Sequence, residues 1–326
     1  MARMGVGRCC CGNYLYSSSS FIRWNKLIGT TERESTQADI LFPGQYGTNR
    51  IGIDYKNQIL FIVRGNQPVY STNPELKNVT LVFTEASAPT VFLQCVDHIN
   101  QRFYFTGAIG GIFGIIRVNY DGTGRTVLFT LPTDSGYQPW LIPRVQCDPA
   151  EDKLFWIQNR PFTVGSGLPP ESYIYSSDLD GAGASLIVTA PTDTRISDLQ
   201  SDPANMRLWY IQDPLGYSEG DSASEPWRLW YCDYDGTDQT TWDTAPSTPF
   251  VTDYGYINIM VSQKDGRIYW GQTGNDGVTW TDAGNVLYSD TFAKDDRKII
   301  TRVGAGADGV SIGEFLELGK GFETFG

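Results

Sequence analysis

Asp148-Pro149-Ala150-Glu151-Asp152-Lys153-Leu154-Phe155-Trp156 opens on an acidic residue, crosses a polar stretch and ends in an aliphatic-aromatic triplet. The same arrangement returns from Asp54 to the triplet Leu60-Phe61-Ile62, from Asp97 to Phe103-Tyr104-Phe105, and from Asp202 to Leu208-Trp209-Tyr210. A fifth copy runs from Ser262 to Ile268-Tyr269-Trp270, with serine in the acidic place. Successive copies lie roughly fifty residues apart, which is the length of one blade of four short strands, so the repeat predicts an all-β β-propeller.

The rest of each repeat is equally regular. Ile116-Arg-Val-Asn119-Tyr-Asp121-Gly122, Ile174-Tyr-Ser-Ser-Asp178-Leu-Asp180-Gly181 and Trp230-Tyr-Cys-Asp233-Tyr-Asp235-Gly236 each run an alternating strand into an Asp-Gly turn. A further apolar strand follows, as in Thr126 to Phe129 and Ser185 to Val188. Asp-Gly supplies the positive φ that a hairpin needs, so these segments read as strands three and four of a blade.

Together, the Asp-Pro starts at 148 and 202, the strands Phe103-Tyr-Phe-Thr106 and Leu208-Trp-Tyr-Ile211, and the turn Asp178-Leu-Asp-Gly181 resemble the YWTD propeller family of low-density-lipoprotein-receptor type. The likeness covers nearly the whole chain and implies a ring of four-stranded blades. In receptors of that family the propeller is secreted and flanked by disulfide modules.

Five repeat starts are visible, and the termini suggest a sixth blade. Tyr14 to Ser17 followed by Lys26 to Ile28 has the internal spacing of Val286 to Ser289 followed by Lys298 to Ile300, so it reads as strands three and four of an incomplete blade. Gly309 to Leu318 alternates like an inner strand, and Gly321 to Phe325 is a candidate for the next one. Pairing the N- and C-terminal strands in one blade would close a six-bladed ring and cover its open edges. The expected organisation is an attachment tail over residues 1–12 and a single propeller domain over 13–326.

Composition bounds the function. The 326 residues carry a net charge of −12 and no basic run, which argues against binding nucleic acid or anionic membranes. No apolar stretch is long enough for a membrane span, and the start Met1 to Gly12 has no apolar core of a signal peptide. A propeller made in a cytoplasm without leader or modules and used outside it fits a phage or virion component. A cytoplasmic interaction scaffold is the alternative.

The cysteines fall into two groups. Cys95, Cys147 and Cys232 lie in strands and read as buried free thiols. Cys95 and Cys147 precede their anchor aspartates by different distances, an offset that predicts side chains on opposite faces and no disulfide between them. Cys9, Cys10 and Cys11 sit together outside the repeat. Tails meeting at a symmetry axis could hold a metal or an iron-sulfur cluster there, or the segment is a docking peptide whose cysteines are merely small and apolar. Either way the tail is the expected attachment point to the protein subunits of a larger assembly.

An enzyme of metal-dependent lactonase type would need ligands on the inner strands. Candidates are Gln94, Gln146, Gln200, Asp198 and Asn258, a set with one carboxylate and therefore poor for a hard cation. The single histidine, His98, lies in a turn with no partner of its kind. Asp54, Asp97, Asp148 and Asp202 recur with the repeat, which points to an architectural role as acceptors for backbone N–H groups in a tight turn. Function is better sought where the repeat breaks. The strand two to strand three connections are short early in the chain and long later, over 159–171, 213–227 and 274–284. Their Tyr217, Trp227 and Trp280, set among Asp and Ser, suit recognition of a cell-surface glycan or protein receptor, or else fold under their own loops. The sequence thus predicts a non-catalytic binding or structural propeller that mediates assembly or host attachment.

Overall fold

The computed structural model describes residues 13–18, 22–28, 31–38, 50–54, 57, 59–63, 68–72, 79–84, 91–109, 112–131, 142–160, 171–192, 194–214, 226–244, 255–261, 266–274 and 284–303. All regular structure among them is β. Strands β1 (Asn13–Ser18), β2 (Ile22–Ile28) and β3 (Thr31–Ala38) form one antiparallel sheet. Five four-stranded antiparallel blades follow. The first contains β4 (Arg50–Asp54), β5 (Ile59–Val63), β6 (Pro68–Thr72) and β7 (Thr80–Thr84), and the second β8 (Val91–Asp97), β9 (Arg102–Ile109), β10 (Ile112–Asn119) and β11 (Thr126–Thr130). The third contains β12 (Val145–Asp148), β13 (Lys153–Arg160), β14 (Glu171–Ser177) and β15 (Ser185–Thr189). The fourth contains β16 (Thr194–Asp202), β17 (Arg207–Pro214), β18 (Arg228–Asp233) and β19 (Thr240–Thr244), and the fifth β20 (Gly255–Val261), β21 (Arg267–Gly274), β22 (Gly284–Thr291) and β23 (Lys298–Val303).

Among the described residues the propeller therefore has five blades where the sequence predicts six, and no strand pairing between the chain ends is present among them. The N-terminal segment is a sheet of three consecutive strands rather than strands three and four of a shared blade. Its third strand, Thr-Glu-Arg-Glu-Ser-Thr-Gln-Ala, has no apolar alternation, so a reading based on period-two hydrophobicity passes over it. The proposed closing strands at 309–325 lie outside the described residues, as does the tail with Cys9, Cys10 and Cys11.

The first strands of successive blades lie side by side. Between blades, the triplets build the core. Phe61 and Phe103 pack edge to face in the first interface at 4.7 Å between centroids. Tyr104 and Trp156 lie in the second, Phe155 and Tyr210 in the third, and Trp209, Trp242 and Trp270 in the fourth. Consecutive triplet residues point to opposite faces of a strand, so each strand feeds two interfaces. That is why an unbroken apolar triplet, rather than an alternating one, marks the second strand of each blade.

The Asp-Gly turns close the hairpins and also brace the preceding blade. In the fourth blade Gly236 N donates to Asp233 O and Asp233 N to Thr237 O, both at 2.9 Å, which is a three-residue loop with glycine in the left-handed position. Gly236 has φ of 84°, and a Cβ there would sit 2.1 Å from the Ile187 carbonyl oxygen of the third blade. Gly183, at φ of 65°, has open space around it. Gly183→Ala should cost about 1 kcal/mol for the backbone conformation alone, and Gly236→Ala about twice that. Urea unfolding of the two variants checks the difference, and equal losses would show that the turn does not press on its neighbour.

The thiols are arranged differently from the sequence expectation. Cys95 pairs across its blade with Tyr104, and Cys147 with Leu154. The offset does put the two on opposite faces of their own sheets. Neighbouring blades, however, stack the right face of one on the left face of the next, so these are the faces that meet. Both cysteines lie in the interface between the second and third blades, and both are free.

Candidate functional site

Each blade turns from its second to its third strand on the same face of the propeller, opposite the face that carries the anchor aspartates. The connections there are 64–67 and 110–111 in the first two blades, but 161–170, 215–227 and 275–283 in the next three. The long connections thus fall on three consecutive blades.

The base of the third-blade connection is clamped by charge. Arg160 ends β13 opposite Glu171, which begins β14, and Arg160 Nη2 meets Glu171 Oε1 at 2.5 Å. Burial, followed by its hydrogen bond to the Glu171 carboxylate, pushes the Tyr173 phenol up to about 12. Beside this pair, Ser172 Oγ donates to Asn159 Oδ1 at 2.5 Å, Asn159 Nδ2 donates to Ile196 O at 3.0 Å, and Ile196 N donates to Ser172 Oγ at 2.8 Å. This triangle satisfies buried backbone groups at the start of β16 and fixes the fourth blade against the third.

The fourth-blade connection leaves from a less satisfied position. Asp213 is 1% exposed and accepts from Arg195 Nε at 2.7 Å through Oδ2, while its Oδ1 has no partner. Gln212 Nε2, beside it on the other face of β17, is also buried without a partner. Burial raises the Asp213 carboxyl from 3.8 to about 6, with the Arg195 guanidinium opposing. Its raised carboxyl and unpaired Oδ1 mark Asp213 as a perturbed group at the base of this connection.

Of the expected loop aromatics, Trp227 is half-buried and packs on the cluster of Trp209, Ile211, Leu229 and Trp270 just before β18. Tyr217 and Trp280 lie outside the described residues.

Two of the inner-strand candidates, Gln94 and Asp198, join blades. Gln94 Nε2 donates to Thr106 Oγ1 at 2.9 Å, and Gln94 Oε1 accepts from Val145 N at 3.2 Å, linking the second blade to the third. Asp198 accepts from Arg144 Nε of the third blade at 2.6 Å and from Ile259 N of the fifth at 2.8 Å. Gln200 Nε2 donates to Ser201 O at 3.3 Å, and Gln146 is half-buried. Asn258 occupies the register shift between Ile257 and Ile259, its side chain outside what is described. Among the described residues no three His, Cys, Asp or Glu side chains gather as a metal-holding group.

On the opposite face the anchors accept local N–H groups. Asp97 Oδ1 receives Ile99 N and Asn100 N, and Asp148 Oδ1 receives Ala150 N and Glu151 N. Asp54 receives Asn57 N at 2.9 Å, and Asp202 Oδ2 receives Asn205 Nδ2 at 2.9 Å. Two anchors also reach the next blade's turn, where Tyr120 donates to Asp54 Oδ2 at 3.0 Å and Tyr234 to Asp148 Oδ2 at 2.8 Å. His98 is half-buried in the turn after Asp97.

Sequence reasoning singled out neither Arg144, Asn159, Ser172 nor Arg195, and treated Asp213 only as the start of a loop. Asp213 did carry a signal. It continues the alternation of Trp209 and Ile211 and so falls on a buried face, where a carboxylate is out of place.

No protein-family model matches the chain, and no curated protein sequence matches it. Its fold is similar to the YWTD propeller of nidogen in a nidogen/laminin complex, at 12% identity and a TM-score of 0.56, over 89% of this chain and 93% of that one. It is also similar to a putative TolB from Agrobacterium tumefaciens, at 10% identity and 0.54, over 78% and 81%. A puromycin hydrolase matches at 10% identity and 0.52, over 78% of this chain and 39% of the hydrolase. The chain is a YWTD-like β-propeller, and propellers of this shape include both binding proteins and enzymes.

Proposed function

We propose that this protein is a non-catalytic binding propeller that takes a protein partner on the face where the 161–170, 215–227 and 275–283 connections leave and rejoin their strands. The observation that carries the reading is the grouping of those connections on three adjacent blades while 64–67 and 110–111 remain minimal. A catalytic propeller needs reactive groups aimed at the axis. Here the described inner-strand amide Gln94 and carboxylate Asp198 are spent on interblade hydrogen bonds, and Asp198 faces a guanidinium that would repel a metal ion. The tail over 1–12, with Cys9, Cys10 and Cys11, is proposed as the tether to a larger assembly.

The test is to replace each long connection with a Gly-Ser linker and to probe arrays of cell-surface proteins and glycans with each variant. Protein ligands should lose at least tenfold in affinity when two of the three are replaced, with no change when 64–67 is replaced. Full binding with all three replaced would sink the assignment, and glycan ligands alone would correct the partner class. Native mass with and without residues 1–12 tests the tether, since a monomer in both forms removes it.

A further inference from the structure

We propose that Cys95 and Cys147 are an oxidation site that closes into a disulfide between the second and third blades on reaction with a hydroperoxide. The two thiols come from the first strands of adjacent blades, lie in one packed interface and are both free. Cys95 is 8% exposed and Cys147 is half-buried. The strands they stand on are already fixed to each other by Gln94, which receives Val145 N two residues before Cys147. Sulfur atoms held this close need little backbone movement to bond.

The chemistry balances with hydrogen peroxide as the oxidant. The Cys147 thiolate attacks one peroxide oxygen and becomes a sulfenic acid, and the departing hydroxide takes up the thiol's proton as water. Cys95 then attacks that sulfur, the S–S bond forms, and the sulfenic hydroxyl leaves as a second water. Two thiols and one peroxide give one disulfide and two waters. The hydrogen bond to Cys95, followed by burial, pushes the Cys147 thiol well up, which makes the first step slow and protects the pair from casual oxidation. Cys232, on β18 in the interface between the third and fourth blades, has no described thiol beside it and serves as an internal control.

The experiment treats the full chain with hydrogen peroxide, blocks remaining thiols with an alkylating agent, and maps the unreduced digest by mass spectrometry. A peptide pair joined through Cys95 and Cys147 is expected, with Cys232 recovered in alkylated form. The Tm should rise by about 5 °C and return on reduction. Cys147→Ser should abolish both the linked pair and the Tm rise, and Cys232→Ser should keep both. Recovery of Cys147 as a free thiol or a sulfinic acid while Cys9, Cys10 and Cys11 are oxidised would overturn the proposal. So would a disulfide from Cys95 or Cys147 to one of those tail cysteines.

Discussion

Asp198→Ala should destabilise the propeller by about 3–5 kcal/mol, the range for removing one partner of a buried ion pair. Asp198 is 5% exposed and bridges three blades from its place on β16, with Arg144 Nε at 2.6 Å on one side and Ile259 N at 2.8 Å on the other. Alanine withdraws the carboxylate from a buried guanidinium and leaves a backbone N–H of the fifth blade facing a void. Both costs arise in the same interior, where an unpaired polar group is expensive. Asp198→Asn should lose less, because its carbonyl can still accept one of the two hydrogen bonds. Urea unfolding at neutral pH is the measurement. A loss below about 1 kcal/mol would mean that water reaches the pair and that the bridge contributes no more than a surface one.

The same geometry makes a second statement that separates cohesion from catalysis. If Asp198 is there to join blades, Arg144→Met combined with Asp198→Leu should be far less damaging than either single change, since no lone charge remains and the volume is filled. Were Asp198 reserved for chemistry, the pair of substitutions would offer no such recovery in stability beyond what each change gives alone. The inner strands carry register shifts at Gln94, Ser197 and Asn258. Each bulge adds a residue to the inner strand without adding one to its partner, which re-aims nearby side chains toward the neighbouring blade or the axis.

Those bulges mark the limit of what the sequence discloses. The repeat itself was legible because every blade needs the same second strand, apolar on both faces, and three of the five share the same turn glycine. The three-stranded N-terminal sheet was not, since the strand from Thr31 to Ala38 is polar throughout and leaves period-two reading nothing to find. The meeting of Cys95 with Cys147 was misread for a geometric reason: opposite faces of separate sheets are adjacent in a stack of blades. Arg144 and Arg195 gave no signal, because an arginine before an inner strand looks like any exposed loop cation until its buried partner is known. Asp213 lay one step beyond the recognisable triplet. There, alternation predicts burial and chemistry predicts exposure, and the conflict between the two was the clue.

That conflict gives the second large effect. The Asp213 carboxyl is raised from 3.8 to about 6, so the folded protein holds a proton at pH 5 that the unfolded chain has already released. Its contribution to stability is therefore complete below about pH 4 and is lost as the pH rises through about 6, a change of about 3 kcal/mol for this group. Asp213→Asn removes the titration while keeping an oxygen that can accept from Arg195 Nε, whose side chain is half exposed and screened by solvent. The variant should match the wild type near pH 4 and exceed its stability at pH 7.5, with the gap opening between pH 4 and 6. Paired urea titrations across that range isolate the effect, since every other carboxylate is common to both proteins. A gap that does not change with pH would show that Asp213 is ionised and solvated in the folded state.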